Sequence, residues 1–296
     1  MMTALQEQIM EAKIIAAIVS YHPDDKIFKN IDAIVPQVDG VIIIDNTETE
    51  SDWCLRLDST LVHYVHAGEN LGIATALNIA LSYAVNVGAA WMLTLDQDSV
   101  VASDYVVKLC ESIRQNNSAH AEVVSIGGVP IDPENGYRLI TALPGMPAPH
   151  LITSGNLIRI DALSAVGGYR SELFIDYVDL WLSMTLCSRG YRVLQCENAI
   201  FEHSLGASSH RSLFGKRLRL SNHSAMRRYY ITRNRFLFWC EALSNGRQYL
   251  RAELRQFVID CIALSLEKQR CRKLRAMGLA LFDAVVGKRG KCSYNL

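Results

Sequence analysis

An α/β fold, a mostly parallel sheet flanked by helices, is what this 296-residue sequence predicts, and three observations predict it. Strand-like and helix-like segments alternate through the first half. The strand-like segments are continuous apolar, β-branched runs, as expected of strands buried on both faces. Half the residues are hydrophobic and a fifth are charged, which suits a globular protein with a full core.

The elements follow in order. "KIIAAIVSYH" reads as a first strand ending in polar residues, and "KIFKNIDAIVPQV" has helical spacing with Ile27, Ile31 and Ile34 on one side. "GVIIIDN" is a second strand ending at Asp45, and "LVHYVHA" a third. "GIATALNIALSYAVNVG" is a helix of Ala and Leu closed by Gly88. "WMLTL" is the fourth strand, followed by a helix from about Ser103, its expected N-cap, to Gln115. "EVVSIGGV" is the fifth strand. After about residue 130, Pro and Gly mark loops and short strands. "IDALSAVGGY" and "VDLWLSMTLCSRG" then read as helices and "YRVLQCENAIFEH" as a final pair of strands. From about Ser208 a basic, predominantly helical region is expected, dividing the chain into residues 1–207 and 208–296.

A net charge of zero conceals a division. Residues 1–203 hold 11 Lys plus Arg against 25 Asp plus Glu, a net of −14; residues 204–296 hold 19 against 5, a net of +14. The acidic body suits a cation, and the basic final third suits phosphates or an anionic membrane surface. The eight cysteines form no C-x-x-C pair and no zinc spacing, so they read as reduced thiols of a cytosolic protein. "MMTALQEQIMEAK" lacks the apolar core of a signal peptide. No uncharged apolar run approaches the roughly 20 residues that span a bilayer.

In open α/β sheets, ligands gather beyond the carboxyl ends of the strands. His22, Asp45, Asn70 and the pair Asp96 and Asp98 fall there. Two carboxylates so close repel unless a cation lies between them. They hold Mg²⁺ or Mn²⁺ through oxygen ligands, or they mark a solvated turn.

"VSYHP", "IIIDN", "NLGIATALN", "LTLDQDS", "SGN", "FIDYVD" and "FEHSLG", in that order, resemble the inverting family-2 glycosyltransferases of the GT-A fold, a Rossmann-like architecture. "LTLDQDS" and "FIDYVD" are similar to the forms in bacterial dTDP-rhamnosyltransferases of O-antigen synthesis. The resemblance covers roughly residues 14–240. It implies that Ser20, Tyr21 and Asp45 line the nucleoside pocket and that Asn70, Gly72 and Asn78 lie along the sugar nucleotide. Asp96 would contact the ribose or sugar, and Asp98 would bind the metal, with Asp96 and His203 as further ligands. Gly155 and Asn156 would sit under the sugar and acceptor. Asp179 would be the base, with Asp176 three residues earlier as runner-up, on a similar helical face if the turn is already wound there. Trp181 stands where related enzymes usually carry an acid, which bears on acceptor contacts. Arg228, immediately before "YYITRN", and Arg233 within it could neutralise a diphosphate.

The resemblance thus implies a nucleotide-sugar donor, dTDP-rhamnose, and a lipid-linked saccharide acceptor, with the chain cytoplasmic and peripheral at the inner face of the cell membrane. "KQRCRKLR" and "GKRGK", flanking apolar helices, suit an anionic bilayer. Nucleic acid is not expected, because no recognised binding module accompanies the basic tract. A UDP-sugar donor and a non-catalytic nucleotide- or polyanion-binding protein are the alternatives. A nucleotidyltransferase would need a Gly-rich phosphate loop that "SYHPDDK" lacks.

Overall fold

β1 (Ile14–Ser20) is almost wholly buried and has a parallel neighbour on each side, β2 (Gly40–Asp45) and β4 (Trp91–Asp96). β3 (Val62–His66) extends the parallel run beyond β2. Five further elements were expected and the computed structural model contains them: α1 (Lys26–Ile34), α2 (Ile73–Asn86), β6 (Val123–Ile131), α4 (Ile160–Ala165) and α5 (Val178–Ser188). The described residues are 12–117, 122–141, 150–203, 209–213, 216–220 and 222–296. The amino-terminal stretch and part of the Pro-rich loop read above lie outside them.

The remaining strands of the sheet are β5 (Val100–Val101), β7 (Asn156–Arg159) and β8 (Arg192–Glu202), and the order is β3-β2-β1-β4-β7-β6-β8-β5. β7 is antiparallel to both β4 and β6, while β6 and β8 are parallel. On one face Ile14, Ile18, Ile43 and Leu93 meet Ile27, Ile31 and Ile34 of α1 and Leu109 and Ile113 of α3 (Tyr105–Asn116). α2 covers neighbouring strands with Ala74, Ala76, Ala80 and Ala84, whose small side chains let the helix approach closely. This packing leaves the carboxyl ends of β1, β2 and β4 at one rim of the sheet.

Several expectations are corrected. Asp104, not Ser103, is the N-cap of α3, and its side chain makes no capping bond. "YRVLQCENAIFEH" gives one strand, not two: opposite β6, Gln195 pairs with Gly127 and Ile200 with Val129, so the polar Glu197–Asn198 step is absorbed as an irregularity. The region after Ser208 begins with an antiparallel hairpin, β9 (Ser209–Leu213) and β10 (Lys216–Leu220), before any helix. "KRLRL" alternates with period two, a strand pattern beneath its charge.

The chain divides into two compact units. Met1–Ser171 with Val178–Ser204 forms the sheet unit; Leu205–Leu296 with the short segment Glu172–Tyr177 forms the second. The second unit holds α6 (Ala225–Asn245), α7 (Arg247–Leu266) and α8 (Arg270–Val285). Ser224 caps α6 by accepting from the Arg227 N–H. Tyr229 and Tyr230 of α6 pack with Ala276 and Ala280 of α8. No helix among the described residues is long and apolar enough to cross a membrane.

Candidate active site

β4 ends at Asp96, and the turn that follows carries Asp98 and Ser99. Asn30 of α1, fully buried, donates to the Asp96 carbonyl at 2.7 Å, and Ser154 Oγ accepts from the Asp96 N–H at 3.0 Å. The end of β8 delivers His203 to this turn, across about a hundred residues of sequence. Its Nδ1 lies 3.4 Å from Asp98 Oδ1 and its Nε2 lies 3.8 Å from Asp96 Oδ2. Ser99 Oγ sits 2.9 Å from His203 Nδ1 and 2.7 Å from Ser154 Oγ, so a pair of serines orients the imidazole.

Asp96, Asp98 and His203 each offer a donor atom, and these atoms all lie within 4.8 Å of one another. Two carboxylate oxygens and one imidazole nitrogen fit Mg²⁺ or Mn²⁺, which take few protein ligands and complete their shells with phosphate or water. Burial pushes the His203 pKa down, but the hydrogen bond to Asp98 and the charges of Asp96, Asp98 and Asp132 outweigh it, leaving it above the ordinary value. A cation at this position would replace the proton that the carboxylates now favour.

The turn is tied to the neighbouring strand ends. Gln97 Oε1 accepts from the Tyr21 N–H at 2.7 Å, and the Tyr21 hydroxyl lies 3.1 Å from Glu48. His22, Thr47 and Glu48 help to line a cleft of about 360 Å³ beside them. Asp45 is fully buried; its carboxylate accepts from the Thr47 N–H and hydroxyl and from the Tyr64 hydroxyl. Ser20 is buried at the end of β1. Asn70 Oδ1 accepts from the Gly72 N–H, and Gly72, with φ +81°, opens α2.

A family model, glycosyl transferase family 2, matches residues 16–170, which include every one of these strand ends except that of β8. The chain belongs to this family. It is 28% identical to dTDP-rhamnosyl transferase RfbF of Shigella flexneri, over 97% of this chain and all of that one. Among solved structures, it is similar to S. aureus TarS 1–349 in complex with UDP-GlcNAc, at TM-score 0.62 and 16% identity, covering 92% of this chain and 81% of that one. It is also similar to GalNAc-T7 with UDP, GalNAc and Mn²⁺, at TM-score 0.56 and 14% identity. There it covers 75% of this chain and 47% of the longer GalNAc-T7 chain. The GT-A fold expected from the motifs is therefore the fold of this glycosyltransferase.

The other expected site residues of the glycosyltransferase fall in several environments. Asp179 occupies the first turn of α5, where its Oδ1 accepts from the Leu180 N–H at 2.8 Å. Asp176 does not share a helical face with it. Its φ of +63° puts it before the helix, and Arg227 holds its Oδ1 at 3.1 Å. Asn78 is occupied within its own unit, bonding the Tyr169 N–H and carbonyl and Ser171 Oγ. Gly155 has φ +75°, and a Cβ there would lie 2.5 Å from Tyr105 Oη and from Phe201, so only glycine fits. Asn156 is buried in β7, accepting from Ser125 Oγ at 2.8 Å. Trp181 is buried rather than displayed to an acceptor, with the Arg170 guanidinium 4.1 Å above its ring.

Arg228 and Arg233 depart furthest from expectation. Arg228 is buried against Glu267 at 2.7 Å, and Arg233, also buried, donates to the carbonyls of Glu172, Leu173 and Gly290. Neither guanidinium has the exposure that a diphosphate partner needs. Ser99 and Ser154 carry no role predicted from sequence, although both stand inside quoted motifs, "LTLDQDS" and "SGN". Polar residues directly beside a motif's charged or glycine positions were the signal available.

Proposed function

We propose that this glycosyltransferase moves rhamnose from dTDP-rhamnose, with inversion, onto a lipid-linked saccharide in O-antigen or related polysaccharide assembly. The observation that carries the reading is the convergence of Asp96, Asp98 and His203 at the strand rim. The choice of donor is supported by a relative named dTDP-rhamnosyl transferase that aligns along nearly the whole chain.

The cleft beside Tyr21, Thr47 and Glu48 takes the nucleoside, and the Asn70–Gly72 turn runs along the sugar nucleotide. Asp96, Asp98 and His203 would hold Mg²⁺ or Mn²⁺, which would supply positive charge against the departing diphosphate. Asp179 accepts the proton of the acceptor hydroxyl as that oxygen attacks the anomeric carbon from the face opposite the leaving group. The second unit supplies the membrane contact. Leu274, Leu281, Phe282, Val285 and Val286 are exposed on and just after α8, beside the exposed Arg270 and Arg275. An apolar stripe edged by cations suits the surface of an anionic bilayer carrying the acceptor lipid.

The test is calorimetry against dTDP, UDP, GDP and CMP with and without Mn²⁺, followed by NMR of the anomeric configuration of the product. Selective, metal-dependent dTDP binding and an inverted product are expected. Preference for UDP would reassign the donor to a hexose or N-acetylhexosamine, and a retained configuration would remove the single-displacement mechanism.

A further inference from the structure

Arg233 of "YYITRN" is buried and spent on main-chain carbonyls, which points to a different task. We infer that Asn234 and Arg233 of α6 are positioning residues that fix the backbone of Glu172–Tyr177, the segment that leads directly into Asp179. The inference rests on the assignment of Asp179 as base.

Glu172–Tyr177 belongs to the helical unit although the sheet unit flanks it on both sides in sequence. Its backbone is unusual. Phe174, Asp176 and Tyr177 have φ of +67°, +63° and +69°, a region that residues with a Cβ adopt only when their surroundings over-determine it. Those surroundings are α6 and the chain end. The Asn234 side-chain amide, fully buried, donates to the carbonyls of Leu173 at 3.0 Å, Ile175 at 2.8 Å and Asp176 at 3.0 Å. Its two hydrogens are shared among three acceptors. The orientation of that amide is set from behind, because Arg233 Nε donates to Asn234 Oδ1 at 3.0 Å.

Arg233 adds its own fork. Nη2 donates to Leu173 O at 3.0 Å and Glu172 O at 3.3 Å, and Nη1 donates to Gly290 O at 2.7 Å. The Gly290 N–H closes the ring by donating to Glu172 O at 2.7 Å. Side chains finish the grip. Phe174 stacks on Tyr230 with centroids 5.0 Å apart, Arg227 holds Asp176, and the Tyr177 hydroxyl lies between Glu253 and Arg235.

A helix that merely packed on a loop could do so with apolar residues. Here a buried cation and a buried amide are directed at main-chain oxygens, which fixes the path of the backbone rather than its burial. The consequence falls on the next residues. Tyr177 ends the left-handed stretch, Val178 begins α5, and Asp179 is its second residue. A base displaced by about 1 Å loses on the order of 100-fold in rate, while donor binding at a separate set of residues is untouched.

Asn234→Asp tests this. The substitution keeps the shape and the contact with Arg233 but removes both donors and turns a carboxylate toward three carbonyls. The expected result is a fall in kcat of about 100-fold. KM for the nucleotide sugar and calorimetric affinity for dTDP with Mn²⁺ should stay within about twofold of wild type. Hydrogen exchange should quicken in residues 172–178 and not in residues 91–100. Wild-type kcat, or a loss seen only in KM, overturns the inference. Arg233→Lys keeps the charge without the fork and decides the matter if Asn234→Asp does not fold; it should lower kcat and leave KM alone, and unchanged kcat overturns the inference. Asp179→Asn is run alongside. If it transfers sugar at the wild-type rate, the assignment of the base fails; if it is inactive while the Asn234 and Arg233 variants are normal, only the positioning role fails.

Discussion

The two units gather charge in opposite ways. At the rim of the sheet unit, two carboxylates and an imidazole bring donor atoms within 4.8 Å of one another, and the Ser99 hydroxyl lies 2.9 Å from the imidazole. In the helical unit, carboxylates are interleaved with cations. Glu267 lies 2.7 Å from both Arg228 and Lys273, and Arg235 reaches Asp260 at 2.6 Å and Glu253 at 3.3 Å. A charge enclosed with its opposite is settled by the fold, whereas like charges held together lower their energy by admitting a cation. The first arrangement suits a skeleton and the second a binding site.

Breaking the rim should have the largest effect. Asp98→Ala is expected to reduce metal-stimulated sugar transfer by at least about 100-fold, a loss typical of removing a group that steadies developing charge. Manganese should no longer register in calorimetry, yet the melting temperature should hold or rise, since one of two repelling carboxylates is gone. Unaltered metal-dependent turnover in this variant would mean that the acidic pair is only a solvated turn.

Breaking the enclosed charges should do the reverse. Glu267→Gln leaves Arg228 and Lys273 buried beside a neutral amide, at a cost of about 3 kcal/mol in urea unfolding of the helical unit. Affinity for dTDP should not change. A variant as stable as wild type would show that these cations find other partners, and the contrast between the units would weaken.

Two histidines sharpen the contrast through pH. Burial, with Arg227 and Arg228 close by, pushes His223 down to about 4 from 6.5. The unfolded chain therefore takes up this proton first, so stability falls as pH drops from about 6.5 toward 4. His203 has the opposite sign. Its raised pKa means that protonation favours the metal-free folded state below 6.5, and this contribution is lost as pH rises through the raised value. Urea melts of His223→Gln should lose the acid-side decline, and those of His203→Gln should lose the acid-side gain. Parallel pH curves for both variants would remove the distinction.

How much of this was legible in the sequence follows from the kind of signal each feature leaves. Continuous β-branched runs such as "GVIIID" mark buried strands and locate β1, β2, β4 and β6, whereas the polar Glu197–Asn198 step makes β8 read as two. Val100–Val101 is too short to carry a period, and the hairpin strand "KRLRL" was hidden by its charge. The acidic pair stands out because polar residues end an apolar strand. His203 reaches it only through β8, so no local pattern ties them, and the family resemblance alone suggested the link. Arg233 was misplaced because its partners are carbonyls, and every residue has one. Sequence shows a cation; it does not show a main-chain acceptor fixed by the fold.

The smallest effect concerns what each unit shows to solvent. The sheet unit buries the isoleucines of its strands, while Phe282 and Val285 remain 61% and 73% exposed at the end of α8. An interfacial helix draws its affinity from many modest contributions, and each cation near an anionic surface adds about 1 kcal/mol. Arg275→Ala should therefore weaken binding to vesicles containing anionic lipid by about fivefold at low salt and leave binding to neutral vesicles unaltered. Phe282→Glu should weaken both, because it removes apolar area as well as adding repulsion. Equal sedimentation of wild type and Arg275→Ala with anionic vesicles would show that this stripe does not face the bilayer. The cations around α8 would then belong with the enclosed charges of its own unit.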